Sequence, residues 1–405
     1  MRRTANVLPL LVAAVIFLAP LNLFLKWGEL NAYVGGIFTD YLVQKLWLSE
    51  IPLLLALFLW LPKKIIQEKR KIIPFFKKNK IWLSLFILLV IRQFFSPLPM
   101  VSFWYLAKAI ELSLFIWLLR TNRSIFNHPL LRRAILLALL LQIGVASLQF
   151  ARQKSLFDYF VLGETQLTGS INIARVNFKS GEMILPYGTT AHPNILAGIV
   201  AIFSLSWLHL QAKFKKQFGW WELMVVGLSS WVLFLTQSFT AILAFSLFLF
   251  LQSFPKLKKI GYYLASNLLV LIPLLIFLIP AQLQTESLFR RNFLNSQTIT
   301  VIAHQPFIGI GANMFTTTLK APFSNAGELI RFIQPTHNVP LLFFAETGLL
   351  GLVLIYLLIK KYLLKIDPAW LVLLAVLLSL DHYLVTQWVG GILLVLILSS
   401  NEAQK

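Results

Sequence analysis

The chain contains no cysteine. This absence excludes disulfides, thiolate nucleophiles and cysteine-based metal sites. Acidic residues are also scarce, 15 among 405 residues, with no Asp-x-Asp pair, and the six histidines lack the spacing of a zinc site. We therefore expect no protein-held metal and no other cofactor.

Charge of either sign is rare as well. Charged residues make up 13% of the chain and hydrophobic residues 58%, against roughly 25% charged residues in a soluble domain. Since one crossing needs about 20 apolar residues, the sequence predicts an all-α, polytopic integral membrane protein with about 12 transmembrane helices in one domain over residues 1–405. The predicted segments are 7–25, 43–61, 81–95, 102–119, 134–150, 195–210, 221–237, 240–254, 261–280, 338–359, 369–385 and 388–400.

Orientation is predicted from the basic residues. Arg2 and Arg3 precede the first apolar segment as in a secretion signal, but no small-residue cleavage site follows, which indicates an uncleaved first helix. Most lysines and arginines then fall in every second connection, which predicts that these connections and both termini are cytoplasmic in a cytoplasmic (inner) membrane. The net charge of +21 is attributed to this topology and to anionic membrane lipids, with no nucleic acid as partner.

Two connections, 151–194 and 281–337, are too long for simple turns, and both are predicted to be extracytoplasmic loops with functional roles. An amphipathic stretch at 286–302 predicts a short helix lying along the membrane surface. Arg175, Arg290 and Arg291 lie in these loops. Guanidinium groups bind phosphate oxygens in bidentate fashion, so these arginines are candidates for holding a diphosphate. Solvated surface charge, or extension toward lipid headgroups, is the ordinary alternative.

Two histidines stand at helix entrances. His337 follows the second long loop, and Asn338 beside it is a natural helix cap. Capping does not explain the imidazole, which can accept a proton at neutral pH and so suits a general base. His192 and Asn194 precede the sixth segment in the same way, where they either contact substrate or cap the helix.

An acidic residue interrupts the tenth apolar segment. Glu346 costs about 2.5–3.5 kcal/mol to place in a membrane helix. It lies nine residues after His337 and hence on the opposite side of a regular helix, so the two cannot form a catalytic pair. We predict a structural role, with bonds to a neighbouring helix or to exposed amides, and with Gly348 and Gly351 allowing close approach.

Two further groups of residues are interpreted as turns without a special function. The glycines in the Pro-Phe-Ile-Gly-Ile-Gly stretch at 306–311 lack the full pattern of a nucleotide-binding loop and are interpreted as a plain turn. Asp381 and His382 lie in the last hairpin and are interpreted as an ordinary polar turn.

Three segments together resemble the O-antigen ligase and O-antigen polymerase superfamily of membrane glycosyltransferases. They are 188–197 (GTTAHPNILA), 291–315 with its PFIGIG core, and 337–352 (HNVPLLFFAETGLLGL). The resemblance implies a many-helix fold in which a large outer loop covers a cavity facing the periplasm or cell exterior. It also implies that His337 is the base and that Arg291, with Arg290 as a near substitute, holds the diphosphate.

One position departs from the family pattern. An arginine often precedes the Gly-Thr-x-x-His-Pro-Asn segment in this family, and Leu185 occupies that place here. Either Arg175 or Lys179 replaces it, or the diphosphate is held more weakly, or the substrate differs.

The functional hypothesis is transfer of a glycan from a polyprenyl-diphosphate donor to a hydroxyl on a glycan, lipid or protein acceptor. The predicted reaction is metal-independent and inverting, because no second carboxylate is placed as a covalent nucleophile. The motifs are shared by ligase and polymerase. A transporter or flippase of lipid-linked oligosaccharide is the alternative, and an acyl-modifying membrane enzyme is a weaker one, because no histidine–acid pair lies within a membrane helix.

Overall fold

The protein is described from a computed structural model over residues 2–125, 128–157, 159–168, 173–178, 181–212, 219–280, 282, 285–319, 331–362 and 366–400. Most of these residues are helical. The helices are α1 (Arg2–Leu18), α2 (Glu50–Lys78), α3 (Lys80–Phe94), α4 (Pro99–Thr121), α5 (Pro129–Arg152), α6 (Tyr159–Leu162), α7 (Pro193–Ala212), α8 (Trp220–Thr236), α9 (Phe239–Ser253), α10 (Lys258–Leu278), α11 (Glu286–His304), α12 (Val339–Tyr362), α13 (Pro368–Leu380), α14 (Tyr383–Thr386) and α15 (Trp388–Ser400).

The helices are those of a membrane protein. Within the described ranges, five stretches are long and apolar enough to cross a bilayer: α4, α5, α7, the stretch Pro255–Leu278 that includes α10, and Val339–Leu357 of α12. Shorter apolar helices accompany them at Val7–Leu18, Trp220–Thr236, Phe239–Ser253, Pro368–Leu380 and Trp388–Ser400. The predicted class of polytopic helical membrane protein is confirmed, and the count of twelve crossings stays a prediction.

The first two predicted segments have different bounds in the structure. The chain leaves α1 at Leu18 and enters α2 only at Glu50, whereas apolar composition predicted helices over 7–25 and 43–61. Between them, strands β1 (Phe24–Trp27) and β4 (Gln44–Trp47) pair antiparallel around a smaller hairpin of β2 (Tyr33–Val34) and β3 (Ile37–Phe38). Glycines with positive φ at Gly28, Gly35 and Gly36 interrupt any helix here and provide the turns.

The long loop at 151–194 also contains strands. Strand β5 (Arg175–Phe178) pairs with β6 (Gly181–Ile184) in an antiparallel hairpin, so the all-α prediction is incomplete at both places. In the second long loop, α11 occupies Glu286–His304 where a helix was predicted over 286–302.

Helix α7 lies at the centre of the bundle. Every residue from Ile195 to Leu208 is buried, and α5, α8, α9 and α15 pack around it. Helix α13 is almost as deeply buried and packs against α9 and α10. A helix that is apolar on all sides belongs in the interior of a bundle. The start of α7 lies close to the residue that follows α13, where the Asn194 side chain donates a hydrogen bond to Asp381 Oδ2 at 3.3 Å.

Helix α12 is broken at Gly348, where φ is 63° and ψ is −166°. This backbone conformation is essentially restricted to glycine. The segment 306–311 runs beside the break. Its carbonyl groups accept hydrogen bonds from backbone amides that have no partner within the interrupted helix. The Leu349 amide donates to the Pro306 carbonyl at 2.8 Å, and the Leu350 amide donates to the Phe307 carbonyl at 3.1 Å.

The same segment also bonds to the turn of α12 that precedes the break. The Ile310 amide donates to the Ala345 carbonyl at 3.0 Å, and the Gly311 amide donates to the Glu346 carbonyl at 2.9 Å. The glycine-rich stretch forms a turn at residues 306–308, and it is also the bonding partner of the broken helix. Arg92 of α3 fixes it from the other side, since its Nε donates to the Gly309 carbonyl at 2.9 Å.

The Glu346 carboxylate completes this junction. It accepts the Asn313 amide at 2.9 Å and the Phe315 amide at 3.3 Å, so it holds the chain that follows the glycine stretch. Gly351 makes room within its own helix: a Cβ there would meet the Thr347 side chain and lie 2.9 Å from a ring carbon of Phe343. The prediction that Gly351 admits a neighbouring helix stays a prediction.

The close packing at the break predicts the effect of adding one methyl group. A Cβ on Gly348 would lie 2.5 Å from the Ile308 amide nitrogen, and one on Gly309 would lie 2.5 Å from the Thr347 amide nitrogen. Both positions have positive φ, so alanine adds about 1–3 kcal/mol of backbone strain to the clash. We expect Gly348→Ala and Gly309→Ala to lower the melting temperature of the detergent-solubilised protein.

Gly227→Ala on α8 is the matched control. Its Cβ would enter open space, and alanine is the better helix former, so its melting temperature should equal or slightly exceed that of the wild type. Wild-type stability in Gly348→Ala would contradict the described junction.

Candidate active site

Three histidines from separate parts of the chain meet at one end of the bundle. His192 precedes α7, His337 precedes α12 and His382 follows α13. The rings of His337 and His382 pack edge to face with centroids 4.9 Å apart. The charge of His192 also lowers the pKa of His337, so its imidazole belongs to the same cluster.

Two arginines on α11 lie near enough to act on these histidines electrostatically. The positive charges of Arg291 and Arg290 both lower the pKa of His337, and both lower the pKa of His192. Arg291 Nη1 donates to Ser287 Oγ at 2.9 Å, whereas its Nε is buried without a hydrogen-bond partner among the described residues. An unsatisfied guanidinium nitrogen beside a histidine cluster is a natural point of contact for an anionic ligand.

The electrostatics keep His337 neutral. Burial is the largest cause that lowers its pKa well below the ordinary value of 6.5, and the charges of His382, Arg291, Arg290 and His192 add to it. Its Nδ1 is buried without a hydrogen-bond partner in the described part of the chain, although the residue as a whole is only half-buried. A neutral imidazole with surface open to water can accept a proton from a bound hydroxyl.

Asp381 and His382 are parts of this cluster that the sequence interpretation missed. Each is only 5% exposed. The Thr386 hydroxyl lies 2.7 Å from His382 Nδ1, and Tyr41 packs its ring 5.5 Å from the His382 ring. Burial raises the pKa of Asp381 to about 6, while Arg291 opposes that shift. The available signal was an Asp-His pair interrupting an apolar run at the membrane face predicted for His192 and His337.

The residues beside the histidines also have local structural roles. Asn338 Oδ1 accepts the Leu341 amide at 3.1 Å and so caps α12, while His192 Nδ1 accepts the Asn194 amide at 3.1 Å. The Thr336 hydroxyl donates to Asn295 Oδ1 at 2.8 Å. This last bond joins α11 to the chain before α12 and thereby fixes the arginines relative to His337.

Arg175 lies elsewhere. It is exposed on β5 and forms an ion pair with Glu182 on β6, with Nη1 2.9 Å from Oε2. The arginines whose charges reach His337 are Arg290 and Arg291. Leu185 follows β6 and is buried, and Lys179 lies outside the described residues. A role of Arg175 in substrate binding therefore stays a prediction.

The arrangement combines a neutral base with a cationic surface. Among the described residues, no three histidine or carboxylate side chains converge in a geometry that could hold a metal ion. The site can bind an anion through Arg290 and Arg291 and accept a proton at His337.

Comparison with known proteins gives one family. Residues 194–356 match the family model described as O-antigen ligase. The match covers most of the three motifs that carry the resemblance, which it confirms. No curated protein matches the chain.

The arginine geometry predicts where a diphosphate binds. Since a hydrogen bond to a charged group contributes about 1.5–3 kcal/mol, we expect Arg290→Gln and Arg291→Gln each to weaken inorganic pyrophosphate binding by about tenfold or more. Arg152→Gln is the control and should bind as the wild type does, because Arg152 is exposed at the end of α5 and is not among the charges that lower the pKa of His337. Isothermal titration calorimetry measures the dissociation constants. Equal losses in all three variants would show that only general surface charge is involved.

Proposed function

We propose that this protein transfers a glycan from a polyprenyl-diphosphate carrier to a hydroxyl of a glycan, lipid or protein acceptor. One observation carries the proposal: the neutral imidazole of His337 lies among groups that include Arg290 and Arg291. In this group, His337 Nδ1 and Arg291 Nε are buried without a hydrogen-bond partner among the described residues. The family match over residues 194–356 supports the same reaction class.

His337 acts as the general base. It removes the proton of the acceptor hydroxyl while that oxygen attacks the anomeric carbon of the donor sugar. The bond between the anomeric carbon and the diphosphate oxygen breaks, and the diphosphate leaves with the electron pair. Arg290 and Arg291 stabilise the charge that develops on the departing group. A single displacement of this kind inverts the anomeric configuration.

Donor binding itself strengthens the base. In the free protein the two guanidinium groups lower the pKa of His337, because a further positive charge on the imidazole beside them is disfavoured. A diphosphate bound to these arginines neutralises them, and the pKa of His337 rises. The imidazole is then most basic when the donor is in place.

The active site faces the periplasm or cell exterior in this proposal, with both termini cytoplasmic in the inner membrane. Helix α2 supports that orientation, since it begins at Glu50 and carries Lys63, Lys64, Lys69 and Arg70 in its later half, where cytoplasmic residues are expected. The histidine cluster is connected to the beginning of α2 through the outer segment that contains Tyr41.

Transport of lipid-linked oligosaccharide is the second candidate, because a broken membrane helix such as α12 is a common feature of transporters. In those proteins the free backbone groups at the break bind substrate. Here the amides of Leu349 and Leu350 are bonded to the segment 306–311, which favours a structural role for the break.

Removal of the base tests the proposal directly. We expect His337→Ala to lower the rate of glycan transfer by about 10²–10⁴-fold without changing the melting temperature. Purified protein is incubated with polyprenyl-diphosphate glycan and candidate acceptors, and mass spectrometry identifies the products. Longer glycan on the carrier indicates polymerase activity, and glycan on another molecule indicates ligase activity. A native transfer rate in folded His337→Ala protein would refute the mechanism.

Asp381→Asn is the companion variant. Asparagine can still accept the bond from Asn194, so transfer should fall much less than in His337→Ala and the anomeric configuration should be inverted. Retained configuration in the wild-type product, together with complete loss of transfer in Asp381→Asn, would indicate a covalent carboxylate intermediate instead.

The lowered pKa predicts an unusual pH profile. A general base is active when deprotonated, and a lowered pKa keeps it deprotonated at lower pH. The acidic limb of kcat/KM should therefore lie below pH 6.5, the ordinary histidine value. Arg291→Gln removes one cause of the shift and should move that limb to higher pH, whereas Arg175→Gln should leave it in place. An acidic limb that Arg291→Gln does not move would contradict the described electrostatics.

A further inference from the structure

A cleft lies on the other side of Tyr41 and Thr386 from the histidine cluster. It has a cavity volume of about 60 Å³, opens to solvent, and lies between the outer segment with β4, the start of α4 and the turn between α14 and α15. Whole ligand pockets typically enclose about 300–1,000 Å³, so this cleft receives one face of a single sugar ring and leaves the rest of the ring in solvent.

Aromatic side chains form most of the walls. Tyr41, Trp47, Trp104, Tyr105 and Trp388 all line the cleft. The ring faces of indole and phenol are apolar surfaces on which the C–H face of a pyranose can stack.

The indoles are held rigidly. The Trp104 ring packs edge to face on Trp27, with centroids 4.8 Å apart, and the Trp388 indole N–H donates to Ser49 Oγ at 2.8 Å. The ammonium group of Lys108 lies 4.3 Å from the centroid of the Trp104 ring and 5.4 Å from that of Trp388. A preorganised aromatic wall lowers the entropic cost of binding.

Polar groups line the same space. Asp40, Thr386 and Gln387 supply carboxylate, hydroxyl and amide groups. An acyl chain in the cleft would leave such groups without partners, which is costly. A sugar ring offers hydroxyls to them and an apolar face to the indoles.

The charge balance argues against a phosphate here. Lys108 forms ion pairs with Glu50 and, at 3.5 Å, with Glu111, and Lys45 lies 3.4 Å from Asp40. Carboxylates therefore match or outnumber the ammonium groups, in contrast to the surface formed by Arg290 and Arg291. The cleft suits an uncharged polar ligand.

The cleft and the histidine cluster share a wall. Tyr41 lines the cleft and contacts the His382 ring at 5.5 Å, and that ring contacts His337 at 4.9 Å. Thr386 likewise lines the cleft and bonds to His382 Nδ1. A sugar bound in the cleft is therefore separated from His337, the proposed base, by the rings of Tyr41 and His382.

We propose that this aromatic cleft is a sugar-binding subsite that holds a pyranose unit of the glycan beside the histidine cluster. The subsite deepens the proposed glycan transfer and rests on it for its biological meaning, but the binding itself can be measured without turnover. The bound ring belongs to the acceptor or to the donor, and kinetics distinguish the two.

The test measures binding of a free oligosaccharide to the full-length protein in detergent. The probe is the oligosaccharide that mild acid releases from the lipid-linked glycan of the source cells, and saturation-transfer NMR gives its dissociation constant. We expect Trp104→Ala and Gln387→Ala each to weaken binding by about tenfold, the equivalent of about 1.4 kcal/mol. Trp104→Phe keeps an aromatic face and should lose less.

A matched control makes the test decisive. Trp220→Ala removes an indole that is 76% exposed on α8 and should bind as the wild type does. Unchanged binding in both cleft variants, equal loss in Trp220→Ala, or no binding by the wild type would overturn the proposal. Weakened sugar binding in folded cleft variants supports the subsite even if His337→Ala transfers glycan normally, so the two proposals fail separately.

Kinetics of Gln387→Ala then assign the sugar. A raised KM for the acceptor with an unchanged KM for the donor places the acceptor glycan in the cleft, and the reverse result places the donor sugar there. Both results support a subsite. Unchanged KM values for both substrates would overturn its role in transfer.

Discussion

The structure depends on satisfying backbone hydrogen bonds where helix α12 is broken. In a membrane, free amides and carbonyls cost several kcal/mol each, so irregular backbone persists only where protein or water supplies partners. At Gly348 those partners are backbone groups of residues 306–311. The Glu346 carboxylate accepts hydrogen bonds from the backbone amides of Asn313 and Phe315, which follow that segment. The polar groups in this part of the chain therefore form hydrogen bonds mainly with one another rather than with a substrate.

This junction also positions the candidate active site. The glycine segment follows α11, which carries Arg290 and Arg291, and bonds to α12, which His337 precedes. The bond between Thr336 and Asn295 holds the same two elements together near the histidine. Rigid support on both sides of the cluster fixes His337 and the arginines relative to each other, which the proposed catalysis by preorganised groups requires.

Two environments of different charge lie side by side at this end of the bundle. Around Arg290, Arg291 and the histidines, loss of solvation lowers the pKa of each imidazole, and nearby positive charge lowers it further. Across Tyr41, the ammonium groups of Lys45 and Lys108 are matched by carboxylates, and the walls are aromatic. The donor of the proposed reaction, a lipid-diphosphate glycan, has the same division, with an anionic group beside uncharged sugar rings.

The sequence by itself determined the membrane class, the two long connections, a helix over 286–302 and the family resemblance, because hydrophobic runs and short motifs are local properties of the chain. It did not reveal the hairpins between Phe24 and Trp47, where apolar composition resembles a helix and only the pairing of distant strands decides otherwise. Nor did it reveal that Asp381 and His382 join His337, since their separation along the chain carries no information about contact. Only the tertiary structure decided these points, because backbone groups and buried polar side chains take partners from wherever the packed helices place them.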